Sequence, residues 1–226
     1  MAPSHDRRPT PHPDPRTVLS PEPLKDKKPG GRKLTGPPPI VIGVSGASGA
    51  PIALRVLRSL QEAQVPVDLV VSEGAKAVLA EECGLRVDAL QPLVTHLFAE
   101  HDLGASIARG STPTRGMAIV PCSASTVAKV ALGIGDSLLT RAAHIHLKEH
   151  RPLVMVPRET PLDAILLGHM TRLAELGVVM LVAAPPYYFH PKTVDDQTDY
   201  LAGKVLDHLG VPHTLYRGWN AGEERP

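Results

Sequence analysis

The sequence predicts an α/β fold, a three-layer sandwich in which a mostly parallel sheet is covered by helices on both faces. Three features point to it. Short apolar runs, several rich in β-branched residues, recur near residues 40–44, 67–71, 117–120, 152–156 and 178–183. They lack the polar alternation of a half-solvated strand, so both faces of these strands are buried. Helical patterns separate the runs, and that alternation builds parallel sheets. Polar residues follow every run at its carboxyl end, the edge where ligands sit in such sheets.

Length and composition set the frame. The chain has 226 residues, 42% of them hydrophobic, and a formal net charge of +1, which suffices for one α/β domain with a full core. Residues 1–36 hold eight Lys/Arg, four Asp/Glu and almost no large apolar side chain, and eleven of the 24 prolines precede residue 40. Such a segment cannot bury enough surface to offset its ordering entropy, so a disordered tail is expected there. The remainder carries a net charge of −3, which argues against a nucleic-acid groove. No run of about 18 apolar residues is present, so no membrane span is expected, and the N-terminus lacks the apolar core of a signal peptide. Cys83 and Cys122 form no disulfide framework and fit a reducing compartment, so a cytoplasmic location is expected.

In chain order, the run from Ile40 ends in Gly43, Ser45, Gly46, Ser48 and Gly49, and a helical pattern starts at Pro51. Such a turn offers unpaired N–H groups and the positive end of a helix dipole, which together suit a phosphate. Its glycines allow close backbone approach. Ile52, Leu54, Val56, Leu57 and Leu60 form a stripe along this helix. The second strand, 67–71, ends at Ser72, and helix 73–83 stops at Gly84. Residues 86–101 read as a short helix and 104–115 as a loop. Strand 117–120 runs into Pro121-Cys122-Ser123-Ala124-Ser125-Thr126, whose polar residues open a helix that continues to Gly133; another helix covers 137–150. Strand 152–156 is cut off by Pro157-Arg158-Glu159-Thr160-Pro161, and helix 162–176 stops at Gly177. Strand 178–183 leads into a loop with Tyr187, Tyr188 and Phe189, and the last helix, 194–209, ends at Gly210. The expected organisation is a tail over 1–36, one flavodoxin/Rossmann-like domain over 37–212, and a C-terminal tail over 213–226.

Five segments together are more specific than any single turn. They are Val-Ser-Gly-Ala-Ser-Gly-Ala at 44–50, Pro-Cys-Ser at 121–123, Leu-Thr-Arg-Ala-Ala at 139–143, Leu-Lys-Glu-His-Arg-Pro-Leu-Val at 147–154 and Val-Pro-Arg-Glu-Thr-Pro at 156–161. The chain resembles the flavin prenyltransferases of the UbiX type over about residues 40–219, in order and with few gaps. The resemblance implies an enzyme that joins a dimethylallyl group from dimethylallyl phosphate to N5 and C6 of reduced FMN. The product, prenylated FMN, would serve a UbiD-type decarboxylase. The resemblance also implies a homo-dodecamer with sites at subunit interfaces and no metal.

Carried over by position, the resemblance implies FMN contacts from Gly46, Ala47, Ser48, Ser72, Ser123, Ala124, Ser125, Thr126 and Arg141. It implies a donor-phosphate group of Lys148, Arg158, Tyr188 and Lys204, with Lys148, Glu159 and Tyr188 catalytic. Lys204 stands where the family often has Arg; it keeps the charge and gives up the bidentate fork. Arg217-Gly218-Trp219 resembles a family Arg-Trp with one residue inserted. The chemistry suits these types. Lys148 and Lys204 stabilise charge growing on a leaving phosphate, Tyr188 donates a hydrogen bond, and Glu159 near that phosphate serves as a general acid.

Without the resemblance these residues read more plainly. Arg141 and Lys148, seven apart on one helix face, are a solvated surface. Glu159 caps the helix near Pro161. His146 and His150 have the spacing of a metal pair but no third ligand, so no metal is expected. Two other functions stay open on the residues. Ser125-Thr126-Val127-Ala128-Lys129 is similar to a pattern in flavin-dependent cysteine decarboxylases, although that class usually has Asn at the position of Ser125. The other is a non-catalytic FMN-binding subunit.

Overall fold

A computed structural model describes residues 36–217. The tail read at 1–36, most of that read at 213–226, and Trp219 fall outside the described residues. The strands are β1 (Ile40–Val44), β2 (Val67–Val71), β3 (His96–Ala99), β4 (Gly116–Cys122), β5 (Leu153–Pro157) and β6 (Val179–Met180). The helices are α1 (Ala50–Glu62), α2 (Glu73–Cys83), α3 (Ala124–Leu132), α4 (Leu138–Lys148), α5 (Ala164–Glu175) and α6 (Val194–His208). The sheet order is β3-β2-β1-β4-β5-β6, and every pairing is parallel.

Alternate residues of the central strands feed two cores. Ile40, Ile42 and Val44 of β1, with Ala118, Val120, Val154 and Val156, pack under α1, α2 and α6. Val41, Met117, Ile119, Leu153 and Met155 pack under α3, α4 and α5. Burial on both faces is why these strands lack polar alternation. The α1 stripe is buried at Ile52, Ala53, Val56, Leu57 and Leu60. Cys122 is fully buried, which pushes its thiol well above the usual range and leaves it unreactive.

Two sequence expectations are corrected. Residues 86–101 are not a short helix throughout. A 3-10 turn at Val87–Leu93 precedes strand β3, which pairs Asp68 with His96 through Val71 with Ala99. An edge strand of four residues that is at most half-buried carries no continuous apolar run, so its sequence lacks the signal the inner strands give. At the other edge, β6 is two residues long rather than six. Leu181 and Ala183 each donate one hydrogen bond onward to β5, to Met155 O and Pro157 O, without extending the ladder.

The chain runs outward from β1 to β3, crosses back to β4, and runs outward again to β6. The strand order therefore reverses between β1 and β4, the crevice where α/β sheets bind ligands. Ser45 bridges it: its N and Oγ both donate to Pro121 O, at 3.2 and 3.1 Å, and its Oγ accepts from Ser123 N at 2.7 Å. Among the described residues, no helix is long and apolar enough to cross a membrane.

Candidate active site

Beyond the carboxyl ends of β1, β2 and β4, the N-termini of three helices line one cleft of about 270 Å³. Each helix is capped by a serine. Ser72 Oγ accepts from Ala75 N at 3.2 Å, Ser123 Oγ from Thr126 N at 3.3 Å, and Ser137 Oγ from Thr140 N at 3.3 Å. Ser123 Oγ also lies 3.1 Å from Ser125 Oγ and 2.9 Å from Thr126 Oγ1. Gly46 and Gly74 bring backbone without side chains to the same cleft. A Cβ built on Gly46 would meet Gly74 backbone atoms at 3.1 to 3.3 Å, so position 46 is held to glycine by close approach. Hydroxyls, convergent helix dipoles and backbone without side chains fit a phosphate with an attached planar group.

Of the positions implied for FMN, Gly46, Ser72, Ser123, Ser125 and Thr126 line this cleft. Ala47 is buried beneath the turn, Ala124 opens α3 without lining the cleft, and Ser48 faces a second cleft. The sequence reading missed Gly74, Glu100, Lys129, Ser137, Leu139 and Thr140. The Ser137-x-x-Thr140 capping box was a visible signal for two of them.

The second cleft, about 410 Å³, starts on the same turn, from Ser48 and Gly49. Glu82 and Arg158 line it with Pro51, Ile52, Pro185 and Leu201. Here the first turn differs from expectation. The N–H groups of Gly49 and Ala50 do not stand free for a phosphate: both donate to Glu82 Oε2, at 2.8 Å each. Burial pushes the Glu82 carboxyl up, but hydrogen bonds from Ser48 and these two N–H groups, with the Arg158 charge, hold it below the usual range. The phosphate-suited donors therefore lie at α3 and α4 rather than at α1. Arg158 keeps a buried Nε with no hydrogen-bond partner among the described residues, and its guanidinium gives this cleft a positive charge.

The remaining predicted residues lie elsewhere. Glu159 is exposed in the β5–α5 loop, with its Oε1 accepting from Thr160 N at 3.1 Å. The cap of α5 is Asp163, not Glu159. Tyr188 and Lys204 belong to one aromatic cluster. The Tyr188 ring meets Phe189 and Tyr200 edge-on at 5.9 and 6.4 Å, and Tyr200 meets Tyr216 at 4.8 Å. Lys204 Nζ lies 5.8 Å from the Tyr216 ring centre and 3.3 Å from Asp207. Arg141 and Lys148 sit on the exposed face of α4 and line neither cleft; Lys148 Nζ lies 3.2 Å from Glu149. His146 is a core histidine, with Nδ1 2.8 Å from Ala142 O and Nε2 2.9 Å from Thr114 Oγ1.

Comparison with known proteins converges on the same reading. The Flavoprotein family profile matches residues 30–205. The flavin prenyltransferase UbiX of Deinococcus radiodurans is 43% identical over 189 residues, covering 84% of this chain and 97% of that protein. Among solved structures, AnUbiX (PadA1) in complex with FMN and dimethylallyl pyrophosphate superposes with a TM-score of 0.81 at 32% identity, covering 83% of this chain and all of that one. A dodecameric FMN-dependent UbiX-like decarboxylase from Escherichia coli O157:H7 gives 0.78 at 39%, covering 80% of this chain and 98% of that one. The cysteine-decarboxylase and non-catalytic readings give way to this closer likeness. The chain belongs to the flavoprotein family and, within it, to the UbiX-type flavin prenyltransferases.

Proposed function

We propose that this chain joins the dimethylallyl group of dimethylallyl phosphate to N5 and C6 of reduced FMN, in the cytoplasm, and that the prenylated FMN passes to a UbiD-type decarboxylase. The observation that carries this reading is the turn at 46–49. Gly46 lines the hydroxyl cleft while Ser48 and Gly49 line the cleft of Glu82 and Arg158, so a flavin site and an anion site adjoin.

Reduced FMN, when bound, supplies a nucleophilic N5 and an electron-rich C6, and the chain does the rest. The α3 and α4 N-termini, with Ser72, Ser123, Ser125 and Thr126, hold the flavin phosphate. The Gly46–Gly74 wall admits a ring against backbone. Arg158, which lines the second cleft and whose Nε has no partner among the described residues, receives the donor phosphate. Pro51, Ile52 and Leu201 offer its alkenyl chain an apolar wall. As the C1–O bond breaks, the phosphate leaves with the electron pair, and Glu159 gives a proton to one of its oxygens. Tyr188 and Lys204, on α6 and the loop before it, line neither cleft in the single chain and would have to move to reach that phosphate. Arg141 and Lys148, which line neither cleft of their own chain, serve the site of an adjacent copy in a homo-oligomer, a dodecamer like the Escherichia coli neighbour.

Anaerobic incubation with reduced FMN and dimethylallyl phosphate, followed by mass spectrometry, is expected to show a flavin heavier by one dimethylallyl group. An unchanged flavin mass would overturn the reading. In the same assay E159Q is expected to bind FMN normally and turn over about a hundredfold more slowly; an equal rate removes Glu159 from the chemistry.

A further inference from the structure

Among the described residues lining the hydroxyl cleft, Lys129 is the only cation and Glu100 the only anion. They serve different helices. Glu100 Oε2 accepts from Glu73 N at 2.7 Å, at the start of α2. Lys129 lies on the second turn of α3, and helical side chains lean toward the helix N-terminus. Its stem therefore leans back toward the turn that carries Ser125 and Thr126. Its ammonium is held aside: Nζ lies 2.8 Å from Asp136 Oδ2. Asp136 directly precedes Ser137, the cap of α4, and does not line the cleft. Both partners are close to half exposed, at 41% and 51%, and such pairs are weak and readily exchanged.

A phosphate among these hydroxyls would offer Lys129 a better partner than Asp136. It carries up to two charges against one, and it would be fixed by donors already in place. We infer that Lys129 is a flavin-phosphate ligand held in reserve by Asp136, which it releases when the phosphate enters. The inference rests on the reading of this cleft as the FMN-phosphate site. It makes Lys129 the residue that separates FMN from its unphosphorylated analogue, riboflavin.

Quenching of flavin fluorescence on the full-length chain, freed of flavin, tests it with FMN and riboflavin as probes. K129Q is expected to bind FMN about tenfold more weakly, the size of a lost hydrogen bond to a charged group, with riboflavin affinity unchanged. D136N, which frees the ammonium, is expected to bind FMN about two- to fivefold more tightly. K129Q that keeps native FMN affinity, or loses FMN and riboflavin alike, overturns the assignment of Lys129. D136N that binds FMN no more tightly overturns the exchange. A native chain that fails to prefer FMN over riboflavin overturns the reading of the cleft itself, and the inference with it.

Discussion

At position 82 a glutamate near the end of α2 reaches the start of α1 and takes the N–H groups of Gly49 and Ala50. A carboxylate at a helix N-terminus stabilises by about 0.3–1 kcal/mol when exposed, so E82Q is expected to lose that much in urea unfolding at neutral pH. The sign with pH follows from the lowered folded pKa. The contribution is present above the ordinary value of 4.5 and is lost as pH falls below it. The gap between the native chain and E82Q should close in that window, and a gap that persists at pH 3 would contradict the account. Nothing local in the sequence marks Glu82. A glutamate in the last turn of an exposed helix reads as solvated surface, and only the packing of α2 beside α1 gives it a role. Ser72, Ser123 and Ser125 were legible because small hydroxyl residues in the turns after buried strands point to the sheet edge, whereas Thr126, inside the first turn of α3, came only with the family resemblance.

Between elements, the contact that shapes the hydroxyl-lined cleft is the approach of the β1–α1 turn to the start of α2. Gly46 and Gly74 meet backbone to backbone, and a Cβ on Gly46 would lie 3.1 to 3.3 Å from Gly74 atoms. Neither side has a flexible end that can give way. G46A is therefore expected to cost about 1–3 kcal/mol of stability, the range for overpacking, and to weaken FMN binding, with riboflavin binding weakened equally because the fault is in the wall. Native stability and flavin affinity in G46A would show that the turn yields freely. At this scale the inner strands were legible in the sequence almost to the residue, since burial on two faces writes a continuous apolar run. The edges were not. β3 and β6 are bonded on one side, carry half-buried residues and give no such run. Whether a helix face meets water or another copy of the chain was also illegible, because exposed side chains such as Arg141 and Lys148 look the same in either case.

Across the described chain, the β3–β4 connection at 104–115 was legible as a loop, but not what ties it down. Arg151 donates to Thr112 O at 2.7 Å, Gly110 O at 2.6 Å and Thr114 Oγ1 at 3.1 Å, while His146 Nε2 lies 2.9 Å from the same Thr114 hydroxyl. His146 Nδ1 lies 2.8 Å from Ala142 O and must donate to it, so Nε2 accepts from Thr114. A proton on Nε2 would lose that acceptor and place a charge, fully buried, near the Arg151 guanidinium. Burial first, and Arg151 with it, hold the His146 pKa below its ordinary 6.5, and burial does the same for His144. Both are neutral in the fold and protonated earlier in the unfolded chain. Their contribution is therefore complete above pH 6.5 and declines as pH falls below it. The lowered carboxyls of Asp136, Asp196 and Asp207 lose theirs only below the ordinary 3.8, while buried Asp68, whose pKa is raised, works in the opposite sense. The carboxyl effects are common to the native chain and to H146Q, so the difference between the two proteins reads the His146 effect. Urea unfolding of the native chain is expected to show stability falling between pH 7 and 5. H146Q should be less stable at pH 7, because a core hydrogen-bond pair is disturbed, yet should show a shallower decline over the same range. The slope, not the level, is the test, since any damaging substitution lowers the level. Parallel slopes for the two proteins would mean that His146 does not couple this latch to pH.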